Sequence, residues 1–161
     1  MESFNKYDQQ IADTMLTCDN QFEANVRYYD IRQEALATLT KVSEQVEEFN
    51  MDYSAESIQV LELLYYDLVE IDRFSVFNTT KQEFELCLGV YLGEAVIAHN
   101  EGAQWTVQPY EAIEGKYMMG IEKGRFTLVV SSGFVDLYER YPEFRFTVYR
   151  EFLMFGRRMS Q

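Results

Sequence analysis

Apolar side chains recur at steps of three and four through the first hundred positions, and that period predicts helices. Phe4, Tyr7, Ile11, Met15 and Cys18 fall on one helical face, after which Asp19 and Asn20 offer a cap or a break. A longer stripe follows in Phe22, Val26, Tyr29, Leu36, Leu39, Val42, Val46 and Phe49, with Arg27, Arg32, Glu34, Lys41, Glu44 and Glu47 mostly off it. One amphipathic helix over about residues 20–49, bent near Tyr29, is the expectation. Ser54 suits the N-cap of the next helix, with Glu56 in the favourable first turn and Ile58, Leu61, Tyr65 and Leu68 on the buried face. FSVFNTT is then expected as a loop or short extended piece. Thr79 with Gln82 and Thr80 with Glu83 both have capping-box spacing, which starts a further helix near residue 80.

That helix carries the densest apolar stretch, FELCLGVYLGEAVIAHNEGAQW. Phe84, Leu88, Tyr91, Ala95 and His99 share one side, Leu86, Val90, Gly93 and Ile97 cover the other, and Glu83 and Glu94 leave only a narrow polar seam. A helix apolar nearly all round belongs inside a domain. Gly89 and Gly93 each cost a helix about 1 kcal/mol against alanine, so both are expected to be notches where a neighbour approaches the backbone.

Asn100, Glu101 and Gly102 stop the helix, and the period then changes. QWTVQPY reads as extended, and GKYMMGI and RFTLVV read as two strands joined through EKG. Ser131, Ser132 and Gly133 supply turn chemistry before a short helix, FVDLYERY; Pro142 ends it, and EFRFTVYREFLMFGRR closes the chain as a helix with basic Arg157 and Arg158 at its end. No repeat, low-complexity run or linker divides the chain. The architecture expected is a single α+β domain over residues 1–161: a helical N-terminal half with a buried central helix at about 80–100, a small antiparallel sheet at about 104–130, and C-terminal helices.

Charge narrows the classes of partner. There are 27 acids against 14 lysines and arginines, a formal net charge of −13, in a chain that is 47% hydrophobic with two prolines. Such a chain folds, repels phosphate backbones and anionic membranes, and accelerates encounter with basic proteins. Direct nucleic-acid and membrane binding are therefore not expected. Cys18 and Cys87 both sit among apolar helical positions and are expected as free buried thiols. MESFNKYDQQ has the wrong chemistry for a secretory or transit signal, and the best apolar run, Leu86 to Ala98, is shorter than a spanning helix and interrupted by Glu94. Cytoplasmic residence is the expectation.

Candidate chemistry is sparse. The lone histidine, His99, lies five residues from Glu94, about 140° away around the helix, so the two do not face one ligand. Its place near a helix C-terminus favours a dipole or local hydrogen-bonding role. HExxH, paired CxxC, calcium-loop, GxSxG and GK[ST] patterns are missing, so no catalytic, metal or cofactor residue is assigned. The twelve tyrosines exceed what the core stripes need; Tyr28, Tyr66, Tyr138 and Tyr141 are expected to be at least partly exposed, where tyrosine mixed with acids makes a protein-binding surface.

Leu88–Trp105, LGVYLGEAVIAHNEGAQW, is similar to a helix-to-strand signature, LGxYLGE followed by GxxW, of small acidic bacterial domains found among toxin-neutralising immunity-type proteins. The resemblance implies an α+β cytoplasmic protein that binds another protein rather than an enzyme. The reading preferred is an immunity or inhibitor protein that occludes a basic partner such as a nuclease toxin, through Glu62, Tyr66, Asp67, Glu70 and Asp72 in the stretch YYDLVEID and the residues before it. Two further readings are an oligomeric structural or adaptor protein, a homodimer paired through its N-terminal helices, and a carboxylate- or metal-dependent hydrolase.

Overall fold

The computed structural model describes residues 15–130 and 147–159. The elements expected over residues 1–14, at Ser131–Gly133, in FVDLYERY and at Pro142 lie outside the described residues.

Helix α1 spans Gln21–Gln45 and runs unbroken through Tyr29. Asn20 caps it, its side chain accepting the Glu23 N–H at 2.8 Å. The helix ends four residues before the expected boundary because Val46 turns extended, and Phe49 folds back into the core beyond it. Helix α2, Ala55–Ile71, starts at Ser54 as its sequence requires, with Ser54 Oγ accepting from Ser57 N at 3.1 Å. The FSVFNTT stretch is a single 3-10 turn, Phe74–Phe77. Residues three apart eclipse in that geometry, which is how Phe74 and Phe77 both reach the interior.

Helix α3, Lys81–His99, is capped by Thr80 Oγ1, which accepts from Glu83 N at 3.2 Å. It is the central rod: it packs against α1, α2, the sheet and the last helix, and Phe84, Cys87, Leu88, Gly89, Val90, Tyr91, Leu92, Gly93, Ala95 and Val96 are all buried. One notch is explicit. A Cβ built on Gly93 would lie 2.2 Å from Trp105 Cη2 and 2.9 Å from Ile121 Cδ1, so the indole and an isoleucine of the sheet occupy the space alanine would need.

The sheet is antiparallel. Strand β1 is Leu16–Thr17, β2 Gln104–Pro109, β3 Lys116–Lys123 and β4 Phe126–Val129. β3 is central, with β2 on one side and both β1 and β4 on the other. β1 corrects the expectation that the first helical face continues to Cys18. Leu16 and Thr17 pair with Tyr117 and Lys116, and Cys18 N–H donates to the Gly115 carbonyl at 2.9 Å, so the sheet claims these residues despite their helical spacing. Helix α4, Thr147–Met159, returns across α2 and α3. No helix among the described residues is long and apolar enough to cross a membrane.

Candidate functional site

From position 42 to 72 the chain contains no lysine or arginine, and the acids of this stretch are what the connection between α1 and α2 presents to solvent. Glu44, Glu47, Glu48, Asp52 and Glu56 are all exposed. Three of them, Glu48, Asp52 and Glu56, line a concavity of 280 Å³ together with Asn50, Ser54, Ser57 and Val60. Asp52 is fixed in place: its carboxylate accepts from Ser54 N at 3.0 Å and from Ser54 Oγ at 2.6 Å. The Ser54 side-chain and backbone hydrogen bonds hold its carboxyl below the usual range, so it keeps its charge into mild acid.

Tyr53, between those two residues, has φ 61°, a left-handed conformation seldom adopted by an aromatic residue. Three contacts hold it there. Its N–H donates to Tyr91 Oη at 2.9 Å, its ring stacks on Tyr91 with centroids 5.1 Å apart, and its carbonyl accepts from His99 Nε2 at 2.9 Å. Tyr91 Oη also meets Ser57 Oγ at 2.7 Å. His99 thus hydrogen-bonds across the fold to a residue 46 positions away rather than locally, and its ring also meets Phe152 edge-on, while Glu94 on the same helix accepts instead from Trp105 Nε1 at 3.0 Å. The two diverge as the helical angle requires. This concavity can present fixed negative charge. Among the described residues no three His, Cys, Asp or Glu side chains converge as a metal-binding set.

The five residues read from the sequence as one surface are divided by the fold. Asp67, Glu70 and Asp72 are exposed, and Asp67 shares the outward face of α2 with Glu56 and Leu63. Glu62 and Tyr66 are corrections: both are buried, so neither meets a partner directly. For Glu62 the cause is the last helix. Glu62 accepts the backbone N–H groups of Val148 and Tyr149 at 3.3 and 3.1 Å, capping α4 from inside the protein, and Tyr66 meets the buried Tyr65 edge-on. Tyr28 is a third correction. It is buried because its hydroxyl bridges two strands, accepting from Leu16 N at 3.0 Å and donating to the Tyr117 carbonyl at 2.5 Å. Tyr138 and Tyr141 lie outside the described residues. The concavity itself was missed, although the cation-free run from 42 to 72 was there to be read.

Both cysteines are free and buried. Burial pushes the Cys87 thiol up to about 12, with the Glu83 charge adding to the effect, and burial likewise raises Tyr91 and Tyr53. A raised acid binds its proton more tightly in the native state, so the stabilisation is complete below the unfolded-state value and is lost as pH rises toward the native one. Unfolding free energy is therefore expected to fall above about pH 9, with Cys87 contributing a slope of about 1.4 kcal/mol per pH unit. Urea titrations from neutral to alkaline pH check this; Cys87→Ala should flatten the slope, and a steeper or unchanged slope contradicts it.

Comparison with known proteins places the chain by kinship. The family described as "Uncharacterised protein YwmA" matches residues 17–156. The protein of that description from Bacillus subtilis (strain 168) is 32% identical over 143 residues, which cover 89% of this chain and 90% of the relative. No solved structure matches. The match runs from the first strand to the last helix, so the acidic connection, the central rod and the buried glutamate all lie inside it, and the chain belongs to the YwmA family.

Proposed function

We propose that this protein is a non-enzymatic binding protein of immunity or inhibitor type, acting in the bacterial cytoplasm to occlude a basic protein partner such as a toxin. The observation that carries the reading is the exposed run of carboxylates from Glu44 to Glu56, continued by Asp67 and Asp72, in a stretch that holds no cation of its own. Negative charge concentrated on one side of a protein steers basic partners and repels nucleic acid. The concavity beside Tyr53 gives such a partner a place to insert a lysine or arginine, and the exposed Leu63 on the adjoining face supplies apolar contact.

The test is affinity capture from cells of the native host at low and high salt, followed by titration of the captured protein. A basic protein retained at about 50 mM salt and released at about 500 mM is expected, because exposed charge pairs are screened within a Debye length. Replacing Glu48, Glu56 and Asp67 by their amides should weaken that binding at least about tenfold, mainly through slower association. Capture of no basic protein, or binding indifferent to both salt and the amide substitutions, overturns the proposal.

A further inference from the structure

The face of α1 opposite its buried side carries an apolar stripe that faces outward: Phe22 is 77% exposed, Val26 45% and Tyr29 53%. These lie within about 60° of one another around the helix, whereas the buried Ala24, Tyr28, Ala35 and Leu39 face the other way. Large apolar side chains grouped on one outward face mark a contact surface rather than the scattered exposure every protein shows.

The charges around the stripe identify what covers it. Across Gln21–Arg32 the acids Glu23 and Asp30 are balanced by Arg27 and Arg32, in a molecule whose overall charge is −13. A strongly basic partner would meet two guanidinium groups here, and a strongly acidic one would be repelled by the rest of the protein. A second copy of this chain meets a neutral patch where the mutual repulsion of two acidic molecules is least. The order of residues also suits a two-fold axis. Aromatic, valine, aromatic at steps of four and three reads nearly the same in both directions, so two antiparallel α1 helices crossing at Val26 set Phe22 of one copy beside Tyr29 of the other. Arg27 and Glu23, 3.7 Å apart within one chain, then lie at the border where each can reach its counterpart in the second copy. Arg32 is already immobilised, with its guanidinium 5.0 Å from the Trp105 ring and 5.8 Å from the Tyr29 ring. Arginine and aromatic groups held rigid in this way lose little entropy on association.

We infer that the protein forms a homodimer through antiparallel pairing of α1 about Val26, on a face separate from the acidic concavity. The stripe is short, about 10 Å from Phe22 to Tyr29, so the dimer is a weak one at the lower end of specific interface sizes. Sedimentation equilibrium of the full chain tests it: the weight-average mass should climb from the 19.0 kDa of the monomer toward twice that value as concentration rises from about 5 to about 500 µM. Val26→Glu and Phe22→Ser should each hold the mass at the monomer value with unchanged circular dichroism, since both side chains are exposed. Leu63→Glu, on α2, should dimerise like the parent. A monomer at every concentration overturns the inference, as does a dimer that survives both α1 substitutions or that Leu63→Glu abolishes.

Discussion

Gly93→Ala is expected to destabilise the protein by about 2–4 kcal/mol, although alanine is the better helix former by about 1 kcal/mol. The local preference loses because the new methyl group has no room. Its position lies 2.2 and 2.6 Å from two atoms of the Trp105 ring and 2.9 Å from Ile121, distances no packed carbon tolerates. The indole cannot simply swing away. Its Nε1 donates to Glu94 at 3.0 Å, and its face carries the Arg32 guanidinium, so displacing the ring disturbs the join between α1, α3 and β2 together. For a chain of this length the loss corresponds to a fall in Tm of about 5–15 °C. Trp105 is the sole tryptophan, so its emission reports the displacement directly. A smaller side chain at the same place should relieve the clash. The Gly93→Ala/Trp105→Leu pair is expected to be less destabilised than the sum of its single changes by at least about 1 kcal/mol. An alanine variant as stable as the parent, with unshifted emission, would show that the indole has space to move and that Gly93 is not a seat for it.

The glycine was legible because a destabilising residue inside a strongly apolar helix calls for a packing reason, and the reason proved to be the tryptophan twelve residues downstream. Caps were equally legible: Asn20, Ser54 and Thr80 each accept the backbone N–H three residues on, a local interaction that local sequence encodes. What escaped were choices made by distant partners. Leu16 and Thr17 lie between Met15 and Cys18 of a helical stripe, yet they are a strand because β3 lies within reach. Tyr28 and Tyr29 are chemically identical neighbours, yet Tyr28, bonded to Leu16 and Tyr117 of the sheet, goes inside, and Phe22, Val26 and Tyr29 of the stripe expected to be buried face outward. The candidate surface failed in the same manner. Adjacent tyrosines on a helix point in different directions, which suggested that Tyr66 faces water; it is buried with Tyr65 instead, on a helix against which the last helix packs.

Glu62→Ala should be among the most damaging single substitutions in α2, costing about 3–5 kcal/mol and lowering Tm by about 10 °C. The side chain is 0% exposed, and its two carboxylate oxygens accept from successive N–H groups at the start of α4. A helix leaves its first N–H groups without internal partners and concentrates positive dipole there, so a carboxylate answers both needs at once. Alanine removes the acceptor while α4 still packs against α2 and α3, leaving buried donors with neither carboxylate nor water. Local opening of α4 then becomes the lower-energy response, and hydrogen exchange across Thr147–Met159 should accelerate well beyond that of α1 or the sheet. Glu62→Gln separates capping from mere volume: its carbonyl oxygen still accepts, and most of the protection should return. Were alanine and glutamine equally damaging, the requirement would be for the charge itself. Were neither to change exchange in α4, the last helix would be held by its apolar contacts through Val148 and Phe152, and the buried carboxylate would be incidental to its docking.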